Sequence, residues 1–193
     1  MALAMAVAGA MALSGCTTND PLAEQFREGT GQGFISGDGA YTVIAEAERA
    51  EPIEFAGVIE NGDTVSSDDY AGDVLVVNFW YAGCPPCRLE APDLEQLAQQ
   101  FLPDGVSFLG VNIYDQAATA LSFADEFGVT YPSILDVNDG SVRLAFAGQV
   151  APNAVPTTLV LDRQGRVSAR ISGLVTEPSV LRSMITDALA ESP

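Results

Sequence analysis

Residues 74–88 read Val74-Leu75-Val76-Val77-Asn78-Phe79-Trp80-Tyr81-Ala82-Gly83-Cys84-Pro85-Pro86-Cys87-Arg88, and they decide how the rest of the chain is read. The first seven residues are a near-continuous apolar run, the pattern of a central strand buried on both faces. A short turn follows, then two cysteines two residues apart. From about Pro85 to Leu102, the apolar residues Leu94, Leu97, Ala98, Phe101 and Leu102 recur at helical spacing. The stretch is therefore a strand, a turn and a helix, with Cys84 at or next to the helix N-cap.

That position gives the cysteine pair its chemistry. The unpaired N–H groups and the positive dipole end of a helix N-terminus stabilise a thiolate. Cys84 is expected to be the exposed, attacking sulfur. Cys87, one turn inside, is expected to be the more buried, resolving sulfur. Attack on a substrate disulfide gives a mixed disulfide at Cys84, which Cys87 then releases. Pro85 suits the first helical position, where its missing N–H costs nothing. Pro86 removes a second donor near the Cys84 sulfur, and the Cys87 N–H remains. Fewer donors stabilise the thiolate less, favour the disulfide form and make the pair a better reductant. A zinc site needs four ligands, and only two cysteines lie away from the leader, so no metal is expected. A bond between neighbours in sequence cannot staple distant segments, which weakens a purely structural role.

Working outward, the 193 residues suit one domain plus a short leader. Aspartate and glutamate number 26 against 8 cations, a formal charge of −18, so nucleic acid is not an expected partner. All the cations are arginine; the chain has no lysine and no histidine. Ser–His–Asp triads, Cys–His pairs, imidazole metal sites and Schiff-base lysines are excluded. No cofactor is expected.

Residues 1–15, MALAMAVAGAMALSG, form an uncharged apolar run too short to span a bilayer but suited to a signal-peptide core. They lead into Leu13-Ser14-Gly15-Cys16, which resembles a bacterial lipobox. That resemblance implies cleavage before Cys16 and lipid attachment to it, which anchors the protein to the outer side of the cell membrane. The leader lacks the basic residues such segments usually begin with. Assigning Cys16 to lipid leaves Cys84 and Cys87 as a single pair. Residues 16–40, rich in glycine and polar residues, read as a flexible tether, and 41–193 as the folded domain.

Within that domain, Tyr41 to Ile44 and Ile53 to Val58 are strand candidates. The second enters the turn Glu60-Asn61-Gly62-Asp63, which favours an N-terminal hairpin. Val106 to Ile113 reads as a second core strand, and Ala117 to Phe127 as a helix stopped by Gly128. Ser133 to Asp136 is a short strand and Ser141 to Phe146 a short helix. Thr157 to Leu161 and Val167 to Ile171 form a hairpin, and Glu177 to Ala190 is the last helix. The order β–α–β–α, then an antiparallel pair and a closing helix, predicts an α/β fold: a mixed sheet flanked by helices.

The strand–turn–CxxC–helix unit resembles the thioredoxin superfamily, and NFWYAGCPPCRLEAPDL is similar to its extracytoplasmic TlpA/ResA branch. The resemblance covers most of residues 52–190. It implies a thioredoxin-like fold with a central insertion over residues 114–147 that helps shape the substrate cavity. Trp80, Pro92 and the turn Leu161–Val167 match motifs of the branch. Glu90 matches a glutamate that tunes the cysteines and is the expected proton-handling group. Val155-Pro156-Thr157-Thr158 matches the segment with a cis proline. Pro156 should then pack against Cys84 and Cys87, and the exposed backbone of Val155 should pair with an extended substrate. Trp80, Pro85 and Pro86 complete the expected substrate-binding set. Two positions depart from the pattern. Gly83 replaces a tryptophan, which should open the surface over Cys84. Asn78 replaces the buried aspartate of cytoplasmic thioredoxins.

The resemblance implies a thiol–disulfide oxidoreductase acting on disulfide-containing exported proteins, apocytochrome c among them. A membrane thiol transporter would recharge it. Two rivals have their own signatures. A peroxiredoxin-type peroxide reductase would need a threonine and an arginine supporting its cysteine. A non-catalytic thioredoxin-like binding lipoprotein would keep its cellular role without Cys84.

Overall fold

In the computed structural model, which describes residues 40–151 and 153–191, the chain runs through eight strands and four α-helices. These are β1 (Ala40–Val43), β2 (Ala56–Val58), β3 (Thr64–Ser66), β4 (Val74–Trp80), α1 (Pro85–Phe101), β5 (Val106–Asn112), α2 (Ala117–Phe127), β6 (Ser133–Leu135), α3 (Ser141–Ala145), β7 (Thr157–Leu161), β8 (Val167–Ser172) and α4 (Pro178–Ala190). The leader, Cys16 and the tether up to residue 39 lie outside the described residues. Ala40, placed in the expected tether, already belongs to β1.

Six strands form one mixed sheet in the order β1-β8-β7-β4-β5-β6. β4 pairs parallel with β5 and antiparallel with β7, and β5 pairs parallel with β6. The apolar run behaves as its composition dictates: all seven residues of β4 are buried. Alternation divides them between two cores. Val74 and Val76 pack with Leu94, Leu97, Phe101 and the α4 residues Leu181 and Ile185. Leu75, Val77 and Phe79 pack on the other side with Leu159, Phe146 and Ile134. The sheet is thus covered on both faces, as the thioredoxin-like reading requires.

The expected strand Ile53 to Val58 is shorter, and its first half is used differently. The Ile53 N–H donates to the Gly165 carbonyl in the β7–β8 turn, and the Phe55 carbonyl accepts from Ser67. Only Ala56–Val58 pairs with β3, across the predicted Asn-Gly turn. Gly62 there has φ of +94°, a conformation that favours glycine. The inserted segment is present as α2, β6 and α3, and a bridge between Ile59 and Ile134 ties the hairpin to it. No helix among the described residues is long and apolar enough to cross a membrane.

At the end of the sheet away from the cysteines, Asp162 is buried between two guanidinium groups. Its Oδ2 lies 2.8 Å from Arg49 Nη1 and 2.8 Å from Arg166 Nε. Arg49 also reaches Glu191 beyond α4. The cluster closes the β7–β8 turn onto both ends of the domain.

Candidate active site

β4 ends at Trp80, and after three intervening residues the chain enters α1 through Cys84 as its N-cap. The site therefore lies at the carboxyl end of two parallel strands, where open α/β sheets place their ligand crevices. Cys84 and Cys87 are joined by a disulfide, with Cα atoms 5.3 Å apart. Cys84 Sγ accepts a 3.3 Å hydrogen bond from the Cys87 N–H. Pro85 and Pro86 fill the first two helical positions, so neither supplies a donor. This is the donor arrangement read from the sequence.

The burial of the pair corrects one expectation. Cys84 is 0% exposed and Cys87 2% in this disulfide state, so Cys84 is not the exposed sulfur. Gly83 does not open the surface over it either. A Cβ at Gly83 would lie 3.1 Å from Tyr81 Cε2, because the Tyr81 ring occupies the adjoining space. That ring packs against Tyr114 with centroids 5.4 Å apart. Burial, aided by the nearby Tyr114 and Asp115, holds the Tyr81 phenol above its usual range. The exposed rim is instead Gly83, Pro85, Leu89 and Tyr114.

Glu90 follows Cys87 by three residues, so both lie on one side of α1. Its carboxyl is fully buried. Oε1 accepts 2.9 Å from Asn78 Nδ2, and Oε2 accepts 2.9 Å from the Val175 N–H. Burial pushes the carboxyl up to about 7, against the pull of those two donors. Asn78 is buried as well and also donates 3.0 Å to Thr158 Oγ1. Asn78, where an aspartate was the alternative, acts as a donor to the one carboxyl at this level.

The Val155–Pro156 peptide is cis. Pro156 precedes Thr157, which pairs with Phe79 on β4, so the cis loop sits at the same sheet end as the cysteines. Val155 is buried, contrary to an exposed substrate-pairing residue. It forms part of the wall of an apolar cavity of about 280 Å³, with Phe79, Ile113, Leu144 and Val150. Trp80 is buried too. Its indole N–H donates 3.1 Å to Ser133 Oγ, and its ring lies 4.2 Å from that of Phe123. The close packing of Trp80 and Ser133 over Gly110, where a Cβ would meet Ser133 Oγ at 2.1 Å, explains that glycine. Trp80 thus faces the core, not a substrate.

Further residues build the site around the turn. Asp115 Oδ2 accepts 2.6 Å from the Ala82 N–H, and Arg88 Nη1 donates 3.3 Å to the Ala82 carbonyl. Tyr81 in the turn packs on Tyr114. The spacing Asn112-x-x-Asp115, starting on the last residue of β5, is a turn signature that points to Asp115.

A match to the Redoxin family covers residues 45–185. The chain is 33% identical over 116 residues to the thiol-disulfide oxidoreductase ResA of Geobacillus kaustophilus, covering 60% of this chain and 64% of that protein. It spans less than two thirds of the length of this and the other first ResA relatives it matches. It is 34% identical over 140 residues to the thiol:disulfide interchange protein HelX of Rhodobacter capsulatus, covering 72% of each. A secreted thiol-disulfide isomerase from Corynebacterium glutamicum superposes with a TM-score of 0.71 at 30% identity, over 82% of this chain and 97% of that one.

Proposed function

Because the chain belongs to the Redoxin family, as a ResA-like member of the thioredoxin superfamily, we propose that it is an extracytoplasmic, membrane-anchored thiol–disulfide oxidoreductase that reduces disulfides in exported proteins. The observation that carries this reading is the closed Cys84–Cys87 pair at the N-terminus of α1, at the same sheet end as cis Pro156 and on the helix that carries the buried Glu90.

The reaction starts from the dithiol. The Cys84 thiolate, stabilised at the helix N-terminus, attacks one sulfur of the substrate disulfide. A Cys84–substrate bond forms, and the substrate's second sulfur leaves as a thiolate that takes a proton from water. Cys87 then loses its proton and attacks Cys84 Sγ. The Cys84–Cys87 bond forms and the second substrate thiol is released. Two electrons and two protons pass to the substrate. Glu90 is the proton acceptor for Cys87: its carboxyl titrates near neutrality, where a general base works best. Val155 lines the apolar cavity that receives an uncharged side chain of the substrate, and Pro85, Pro86 and Pro156 complete the substrate-binding set.

The lipobox-like stretch ending in Cys16 supports a lipid anchor, and a membrane thiol transporter supplies the electrons. Apocytochrome c, with its paired haem-attachment cysteines, is the substrate that the ResA-like resemblance favours. Equilibrium titration of the pair against glutathione tests the direction of flow. A reductase is expected to lie at roughly −200 to −270 mV. A value near about −120 mV, that of strongly oxidising dithiol proteins, overturns it.

A further inference from the structure

The turn that delivers Cys84 to its helix is made of residues with little to anchor them. Ala82 and Gly83 carry almost no side chain, and Gly83 is exposed. Within the turn, the Cys84 N–H donates 3.1 Å to the Tyr81 carbonyl. From outside the turn, two polar contacts reach Ala82. Asp115 takes its N–H at 2.6 Å, and Arg88 donates to its carbonyl at 3.3 Å. Both peptide units of Ala82 are thereby fixed, one from each side.

Each contact is braced in turn. Asp115 Oδ2 also accepts 3.0 Å from Asn112 Nδ2. The Asn112 Oδ1 accepts from the N–H groups of Tyr114 and Asp115. Asn112 is fully buried, so this brace is fixed in the core. Arg88 pairs with Glu126 at 2.6 Å, and its Cζ lies 4.8 Å from the centre of the Phe127 ring. The bracing groups all belong to residues 112–127, the end of β5 and α2. The N-terminus of α2 takes no side-chain cap, so the Asp115 carboxylate is committed to the neighbouring turn.

We propose that Asp115 and Arg88 are positioning residues for the exchange reaction: they clamp Ala82 and so hold Cys84 at the N-terminus of α1. The inserted segment thereby acts on the reactive cysteine through the turn before it. The inference rests on the exchange chemistry proposed above, but the clamp has its own readout in the Ala82 amide. Charge and position pull in opposite directions at Asp115. A carboxylate near Cys84 disfavours the thiolate, so loss of its charge alone makes the thiol more acidic. Loss of the clamp lets Cys84 leave the helix N-terminus and makes the thiol less acidic.

The test uses the full chain. Hydrogen exchange at the Ala82 amide, titration of the Cys84 thiol, and the rate of reaction with a small aromatic disulfide are followed together. Asp115→Ala is expected to remove protection of the Ala82 amide and raise the thiol titration. The reaction at neutral pH should slow by about tenfold. Asp115→Asn, which keeps an acceptor, is expected to restore the protection and most of the lost rate. Arg88→Lys keeps the charge but loses the guanidinium contact, and it too should slow the reaction even if the Asp115 variants fold poorly. A protected Ala82 amide in Asp115→Ala overturns the clamp. So does a thiol titration unchanged or lowered in that variant, or an Arg88→Lys variant as fast as the wild type. Loss of amide protection alongside a wild type that exchanges with no disulfide would instead strike at the proposed function.

Discussion

Asn78 donates a 2.9 Å hydrogen bond to Glu90 beneath the helix that carries the cysteines, and the same amide donates to Thr158. An aspartate at position 78 would set a second carboxylate within hydrogen-bonding distance of Glu90, and two such groups cannot both ionise cheaply. The amide supplies a donor instead. It leaves Glu90 as the titrating group at this level of the core, with Val175 holding its other oxygen.

Glu90 gives the fold a pH dependence of definite sign. Its value rises from the ordinary 4.5 to about 7 on folding, so the folded state holds a proton that the unfolded chain releases earlier. This contribution is fully present below about 4.5 and is lost as pH rises through about 7. Its size is on the order of 3 kcal/mol. The melting temperature of the disulfide form should fall over this window, and that of Glu90→Gln should stay nearly level. Parallel profiles for the two proteins would place the Glu90 titration elsewhere.

The Tyr81 ring lies beside Gly83 in the turn that leads into the buried disulfide. Thiol–disulfide exchange depends on access to the sulfur attacked. Tyr81→Ala should therefore speed reduction of the oxidised pair by dithiothreitol by a factor of about five. Stopped-flow tryptophan fluorescence can follow this, since Trp80 is the single tryptophan. An unchanged rate would assign the burial of Cys84 to other neighbours.

The Asp162 cluster separates stability from chemistry. Removing the charge of a buried carboxylate held by two arginines is expected to cost about 3 kcal/mol. Asp162→Asn should lower the urea midpoint accordingly and leave the reduction potential of the cysteine pair as it was. A shifted potential would reveal coupling between the two ends of the sheet.

The architecture was legible because its signals are local. The apolar run Val74–Trp80, the Asn61-Gly62 turn and the Gly128 stop each specify backbone by composition alone, and the helices fall within a residue or two of their predicted ends. The cysteine pair at the start of α1 was legible for the same reason. What escaped was set by contacts across the fold. Cys84 is buried in the disulfide form, and the Tyr81 ring in the turn before it packs on Tyr114, 33 residues later in the chain. Trp80 reads as a recognition residue, yet Ser133 and Phe123 enclose it; Val155 reads as an exposed strand partner, yet it is buried in the wall of the apolar cavity. Asp115 reaches Ala82 only because β4 and β5 are neighbours in the sheet.

The account turns on Cys84 making the first bond with a substrate and Cys87 breaking it, and trapping measures this most directly. Reduced Cys87→Ala is mixed with a disulfide-bonded unfolded protein, and the adduct is mapped by peptide mass spectrometry. The predicted result is a stable mixed disulfide at Cys84, with Cys84→Ala giving little adduct at Cys87. Adducts formed mainly at Cys87, or none at either cysteine, would contradict it.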